Sequence, residues 1–92
     1  MSLNEKTTEN KFLFERIRAI SNPKRFKILL ATKDNEVNIT DLSKKLNLAY
    51  NKCADYVRVL EKLKLIEKKR SGKEAKIRSK VILSENKIEF IS

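Results

Sequence analysis

Ninety-two residues make one domain's worth of chain, near the lower limit for a self-sufficient hydrophobic core. Twenty-two Lys and Arg against twelve Asp and Glu leave a formal charge of +10 and a pI near 9.9, a balance that attracts polyanions. A single cysteine (Cys53) excludes an intramolecular disulfide, the lack of histidine removes the usual catalytic base, and apolar runs such as residues 28–31 are far too short to span a membrane.

Residues 1–8 are polar and are expected to fray. From about Glu9, the positions Phe12, Leu13, Ile17 and Ile20 fall at helical spacing with Phe14 beside them, which predicts a first helix. Ser21-Asn22-Pro23 breaks it. Asn22 suits an N-cap and Pro23 the first helical position, so a second helix should start there. Its expected stripe is Phe26, Leu29 and Leu30, with Ile28 flanking, and its expected end lies near Asp34-Asn35. Val37 and Ile39 read as a short extended piece. Thr40 is then expected to cap a third helix, Asp41 to Leu46, with Leu42 and Leu46 facing inward. Asn47-Leu48-Ala49 makes the turn into a fourth helix running from about Tyr50 to Leu63.

On a 3.6-residue wheel that fourth helix places Cys53, Tyr56, Val57, Leu60 and Leu63 on one face and Asn51, Asp55, Arg58 and Lys62 on the other. After Lys64 the pattern changes to period two. Residues 65–70 form one strand and Ser71-Gly72-Lys73 the turn; a second strand points Ala75, Ile77, Val81 and Leu83 one way and Lys76, Arg78 and Lys80 the other. The expected fold class is therefore α+β, mainly α: a winged helix-turn-helix with the order helix, helix, short strand, helix, helix, hairpin. Residues 9–84 form the domain, between a flexible start (1–8) and a tail (85–92) that could lie at a dimer interface.

A short capped helix, a tight turn and a longer amphipathic helix form a helix-turn-helix, in which the second helix docks by its apolar face and reads base edges with its polar one. Tyr50, Asn51, Lys52, Asp55, Arg58 and Lys62 are the candidate readers. Asn51 could pair with adenine or merely cap the helix. Arg58 could pair with guanine or with Asp55, whose preferred role is to orient Arg58. Residues 64–83 hold eight Lys and Arg against only Glu67 and Glu74, so more than half the net charge sits in the hairpin. Its Arg70, Lys73, Lys76 and Arg78 are the candidate wing contacts, their alternative being simple solvation, with Thr40 and Lys44 in support. Cys53 invites a redox switch, but its inner-face position favours a small buried hydrophobe.

The segment Ile20-Ser-Asn-Pro-Lys-Arg-Phe-Lys-Ile-Leu30, the helix Ile39-Thr-Asp-Leu-Ser-Lys-Lys-Leu46 and the exit at Leu60, Leu63, Leu65 and Ile66 together resemble ArsR-type winged-helix regulators, and the strand–Gly–strand at 67–83 matches their wing. The similarity covers roughly residues 12–83. Phe12, Phe14 and Ile17 are either ordinary core or a dimer interface; the resemblance implies a first helix that pairs across a two-fold, which favours the interface, with Phe90 and Ile91 closing it. The metal-sensing members carry a Cys-x-Cys in the first motif helix or Asp/His clusters later. Here that helix reads Thr40-Asp41-Leu42-Ser43, so soft-metal sensing is expected to be absent. The family's usual Ser/Thr before the recognition helix is Ala49 and its helix-ending Gly is Lys64, so the helix start could move one residue on, to a cap at Asn51.

The expectation is a homodimer on double-stranded DNA, regulating transcription at a near-palindromic operator, most simply as a repressor. No cofactor, metal, membrane or catalytic role is expected, and the N-terminus shows no secretion signal. A cytoplasmic, nucleoid-associated location fits, and high Lys, Glu and Ile match thermophile-like usage. The competing classes are an architectural DNA-binding or RNA-binding winged helix and a protein-interaction module.

Overall fold

In the computed structural model, which describes residues 7–91, two helices and a short strand precede two further helices and a run of short antiparallel strands. They are α1 (Thr7–Ile20), α2 (Pro23–Thr32), β1 (Val37–Asn38), α3 (Ile39–Lys45), α4 (Tyr50–Lys62), β2 (Ile66–Ser71), β3 (Glu74–Ser79), β4 (Val81–Leu83) and β5 (Ile88–Phe90). This is the expected winged helix-turn-helix order. Residues 1–6 of the stretch expected to fray lie outside the described residues, while Thr7 and Thr8 already belong to α1.

Local chemistry sets the helix ends, in places differently from expectation. At α2 the Asn22 side chain accepts the N–H groups of Lys24 (3.0 Å) and Arg25 (3.2 Å), the anticipated cap. The helix stops at Thr32, short of Asp34. Thr32 is fully buried and its hydroxyl donates back to the Ile28 carbonyl at 2.8 Å. The buried stripe is accordingly Ile28, Leu29 and Thr32, while Leu30 points outward.

Thr40 does not cap α3. Asn38 does, its side chain accepting the Asp41 N–H at 2.7 Å, and Thr40 sits inside the first turn. Nor does Asn51 cap α4: the helix starts at Tyr50, its N-cap Ala49 offers no side-chain hydrogen bond, and Asn51 stands exposed in the first turn.

Both helices of the motif end alike. In α3, Asn47 N–H donates to Lys44 and Leu48 N–H to Ser43; in α4, Lys64 N–H donates to Glu61 and Leu65 N–H to Leu60. These are paired 5→2 and 6→1 closures, and they need a left-handed residue just beyond the cap. Asn47 (φ 55°) and Lys64 (φ 59°) take that conformation.

The sheet order is β1-β3-β2, with Val37 opposite Ile77 and six residue pairs from Ile66–Ser79 to Ser71–Glu74 joining β2 to β3. The strand expected to run from Ala75 to Leu83 breaks at Lys80. The Ser79 hydroxyl donates to the Val81 carbonyl (3.1 Å) and accepts the Val81 N–H (3.0 Å), a local loop of bonds that turns the chain out of the ladder. Beyond the break, β4 pairs with β5, so part of the expected tail is a strand. Ile28, Leu29, Leu42, Cys53, Val57, Leu60, Leu65, Ile77 and Val81 form the core beneath α4 and the sheet. Among the described residues no buried side-chain polar atom lacks a hydrogen-bond partner.

Candidate nucleic-acid interface

The two faces of α4 separate as the wheel requires. Cys53, Val57 and Leu60 are fully or almost fully buried, and Tyr56 and Leu63 are partly so. Tyr50, Asn51, Lys52, Asp55, Arg58 and Lys62 are all exposed. Burying the inner stripe against α2, α3 and the sheet leaves the outer stripe free to meet a ligand. On that stripe Arg58 Nη1 lies 3.1 Å from Asp55 Oδ1, one turn earlier. The pair is nearly two-thirds exposed, so it adds little stability. Burial pushes the Cys53 thiol above its ordinary pKa, which makes it a poor nucleophile.

The hairpin brings one wing candidate, Lys73, to the N-terminal end of α4 and divides the others between its two faces. Tyr50 shares a cleft with Asn38, Ile39 and Thr40 at the start of α3 and with Lys73, Glu74 and Ala75 at the wing tip. Arg70 stands opposite Ala75 and so lies on the same hairpin face as that cleft residue. Lys76 and Arg78 project from the other face, since the burial of Ile77 and Ser79 alternates with their exposure. The four wing candidates therefore do not form one surface.

Parity also recovers two cations missing from that set. Lys68, opposite Ile77, shares Arg70's face, and Lys69 stands directly opposite Lys76 on the other. Like charges facing each other across an antiparallel pair are destabilising. Among the described residues the ion pairs are Lys33–Asp34, Arg58–Asp55 and Lys87–Glu89, none of which involves a wing cation. Gly72 takes a left-handed φ of 66° in the two-residue turn between Ser71 and Glu74, the conformation that makes glycine the natural residue there.

Lys62 departs from the rest. It lies at the far end of α4, lining a cleft of about 500 Å³ with Phe12, Glu15, Arg18, Ala19, Arg25, Val59 and Leu63. Lys44 is exposed near the end of α3. On α1, Phe12, Leu13, Phe14 and Ile17 are exposed at 37, 44, 62 and 49%, whereas Ala19 and Ile20 dock into the core. Phe90 is partly buried, its ring lying under the Arg16 guanidinium. Among the described residues no group of three or more His, Cys, Asp or Glu is placed to hold a metal ion, and no helix is long and apolar enough to cross a membrane.

No family model matches this chain, and no curated protein sequence matches it either. Solved structures do. Reduced HlyU from Vibrio cholerae is 21% identical, with 84% of this chain and 81% of that one aligned at a TM-score of 0.73. NolR from Sinorhizobium fredii is 23% identical over 86% of this chain and 79% of its own, at 0.78. The homodimeric winged helix-turn-helix DNA-binding domain of Mb0332 from Mycobacterium bovis, described as a possible ArsR-family transcriptional regulator, is 16% identical over 86% and 73%, also at 0.78. At these identities the likeness establishes the winged helix-turn-helix fold.

Proposed function

We propose that this winged helix-turn-helix chain is a sequence-specific regulator of transcription, kin to the ArsR-type proteins, that binds double-stranded DNA as a homodimer over a near-palindromic operator and represses. One observation carries the proposal: α4 buries Cys53, Val57 and Leu60 while presenting Asn51, Asp55 and Arg58 to solvent, with a basic hairpin against its first turn. The major groove admits one α-helix of this kind, and the flanking cations meet phosphates. The uncapped N-terminus of α4 adds N–H groups and a partial positive charge at the same end.

In this reading Arg58 and Asn51 read base edges, Asp55 orients Arg58, and Tyr50 and Lys52 contact the backbone or a thymine methyl. Lys73, which lines the cleft beside Tyr50, binds phosphate at the α4 N-terminus, Arg70 adds a cation from the hairpin face that it shares with Ala75, and Thr40 and Lys44 support from α3. Lys76 and Arg78 meet a more distant part of the duplex or the solvent. Phe12, Phe14 and Ile17 bury against a second copy. The description of the Mb0332 domain as a homodimeric DNA-binding domain supports the same assembly.

The test is a salt titration of binding to a labelled genomic duplex pool, with sequencing of the retained fragments. Enrichment of a short inverted repeat is expected. Arg58→Ala should then cost about 1–3 kcal/mol of discrimination at one base position. Lys73→Ala should weaken all sequences alike and flatten the slope of log K against log salt by about 0.9. Salt-sensitive retention without any enriched site would place the protein among architectural or RNA-directed binders. Negligible duplex binding at low salt would make it a protein-interaction module.

A further inference from the structure

We infer that Arg16 fixes the angle at which α1 holds α4, and through it the separation of the two reading helices in a dimer; the inference rests on the dimeric DNA-binding reading above. Three elements meet at its guanidinium. Reaching out from α1, Nε donates to the Leu63 carbonyl at 3.0 Å and Nη2 to the Lys64 carbonyl at 3.4 Å. The same group lies over the ring of Phe12 on α1, 5.2 Å from its centroid, and over that of Phe90 on β5, at 4.4 Å.

The Leu63 carbonyl is at the C-cap of α4, where unsatisfied acceptors carry the negative end of the helix dipole, and the Lys64 carbonyl follows just beyond the cap. A planar fork that bonds two successive carbonyls while stacked on aromatic faces sets direction as well as distance, which the point charge of a lysine does not. Among the described residues no other side-chain hydrogen bond or ion pair joins α1 to α4 or its C-terminal cap.

The tether is placed to matter for assembly. It grips α4 at the end opposite Tyr50, which sits beside the wing tip. On α1, Leu13, Phe14 and Ile17 stay exposed while Ala19 and Ile20 are buried. A second copy seated on that exposed face leaves the α1–α4 angle to decide where each α4 falls along the duplex. Two half-sites on one DNA are bound together only when the protein's geometry spans them. Loosening the tether should broaden the tolerated spacing and leave the contact with one half-site unchanged.

The experiment compares wild type, Arg16→Ala and Arg16→Lys on inverted repeats whose spacer varies in single base pairs, and on a duplex with one half-site. Wild type is expected to favour one spacer by about tenfold over its neighbours, and both Arg16 variants to reduce that to about threefold or less. Half-site affinity should not change in either variant. An Arg16→Ala protein that keeps the wild-type spacer preference overturns the inference and leaves the DNA-binding reading standing. A parallel loss of half-site affinity in both variants overturns it too, since that marks a general loosening of the fold. Absence of any spacer preference in wild type removes the dimeric reading itself.

Discussion

Lys64 occupies a position that its side chain makes costly. A left-handed conformation costs an L-residue with a Cβ roughly 1–2 kcal/mol, and glycine returns part of any gain through its freer unfolded chain. Lys64→Gly is therefore expected to stabilise the protein by about 1 kcal/mol, read as a raised urea midpoint at unchanged slope. Asn47 holds the same geometry at the end of α3, but asparagine tolerates it far better. Asn47→Gly should leave the midpoint nearly where it was. Equal effects at the two sites would mean that backbone strain does not separate them. Glycine is the usual residue here in the ArsR-type regulators that the sequence resembles, and the φ of 59° at Lys64 is a conformation that favours it.

At the scale of elements, the start of α3 separates two readings of one short stretch. Asn38→Ala should cost about 1 kcal/mol by removing the bond to Asp41 N–H, whereas Thr40→Ala should cost little, and thermal unfolding of the two variants distinguishes them. Both residues are good caps in isolation. Asn38 takes the role because it also closes β1 against Lys76, so its backbone is already extended where the helix begins.

The same limit recurs elsewhere. Apolar periodicity located every helix and the hairpin, because burial of one face is what holds them in place. It could not say that Thr32 would hide its hydroxyl inside its own helix, or that Ser79 would break the second wing strand. Those outcomes depend on side-chain bonds to the main chain, which hydropathy does not encode. For the candidate site, the outer stripe of α4 was legible in full up to Arg58. The wing was legible as a charged hairpin but not as two faces, since the division of Arg70 from Lys76 and Arg78 follows from the register across Gly72. Lys62 carries the wheel's outward signal, yet the approach of α1 to that end of α4 is a tertiary fact.

For the whole molecule, the principal extents of 49 × 28 × 23 Å describe a long body. Its radius of gyration is 14.2 Å, against about 12 Å expected for a compact chain of this length. The exposed apolar residues of α1 then bear on assembly. Phe14→Glu puts a carboxylate on the most exposed of them and should convert a dimer to a monomer, measured by sedimentation at matched concentration. A dimer whose mass did not change would overturn the α1 contact proposed above, and Ile82, Ile88 and Ile91 would be the next apolar residues to substitute.

The facing Lys69 and Lys76 give the hairpin a built-in tension: the two cations repel across the ladder until some anion settles between them or dissolved salt screens them. Raising ionic strength therefore relieves a repulsion inside the free hairpin, while on the proposed DNA-binding reading it weakens the attraction of the same arm for phosphate. A polyanion bound there would relieve the repulsion in place of salt.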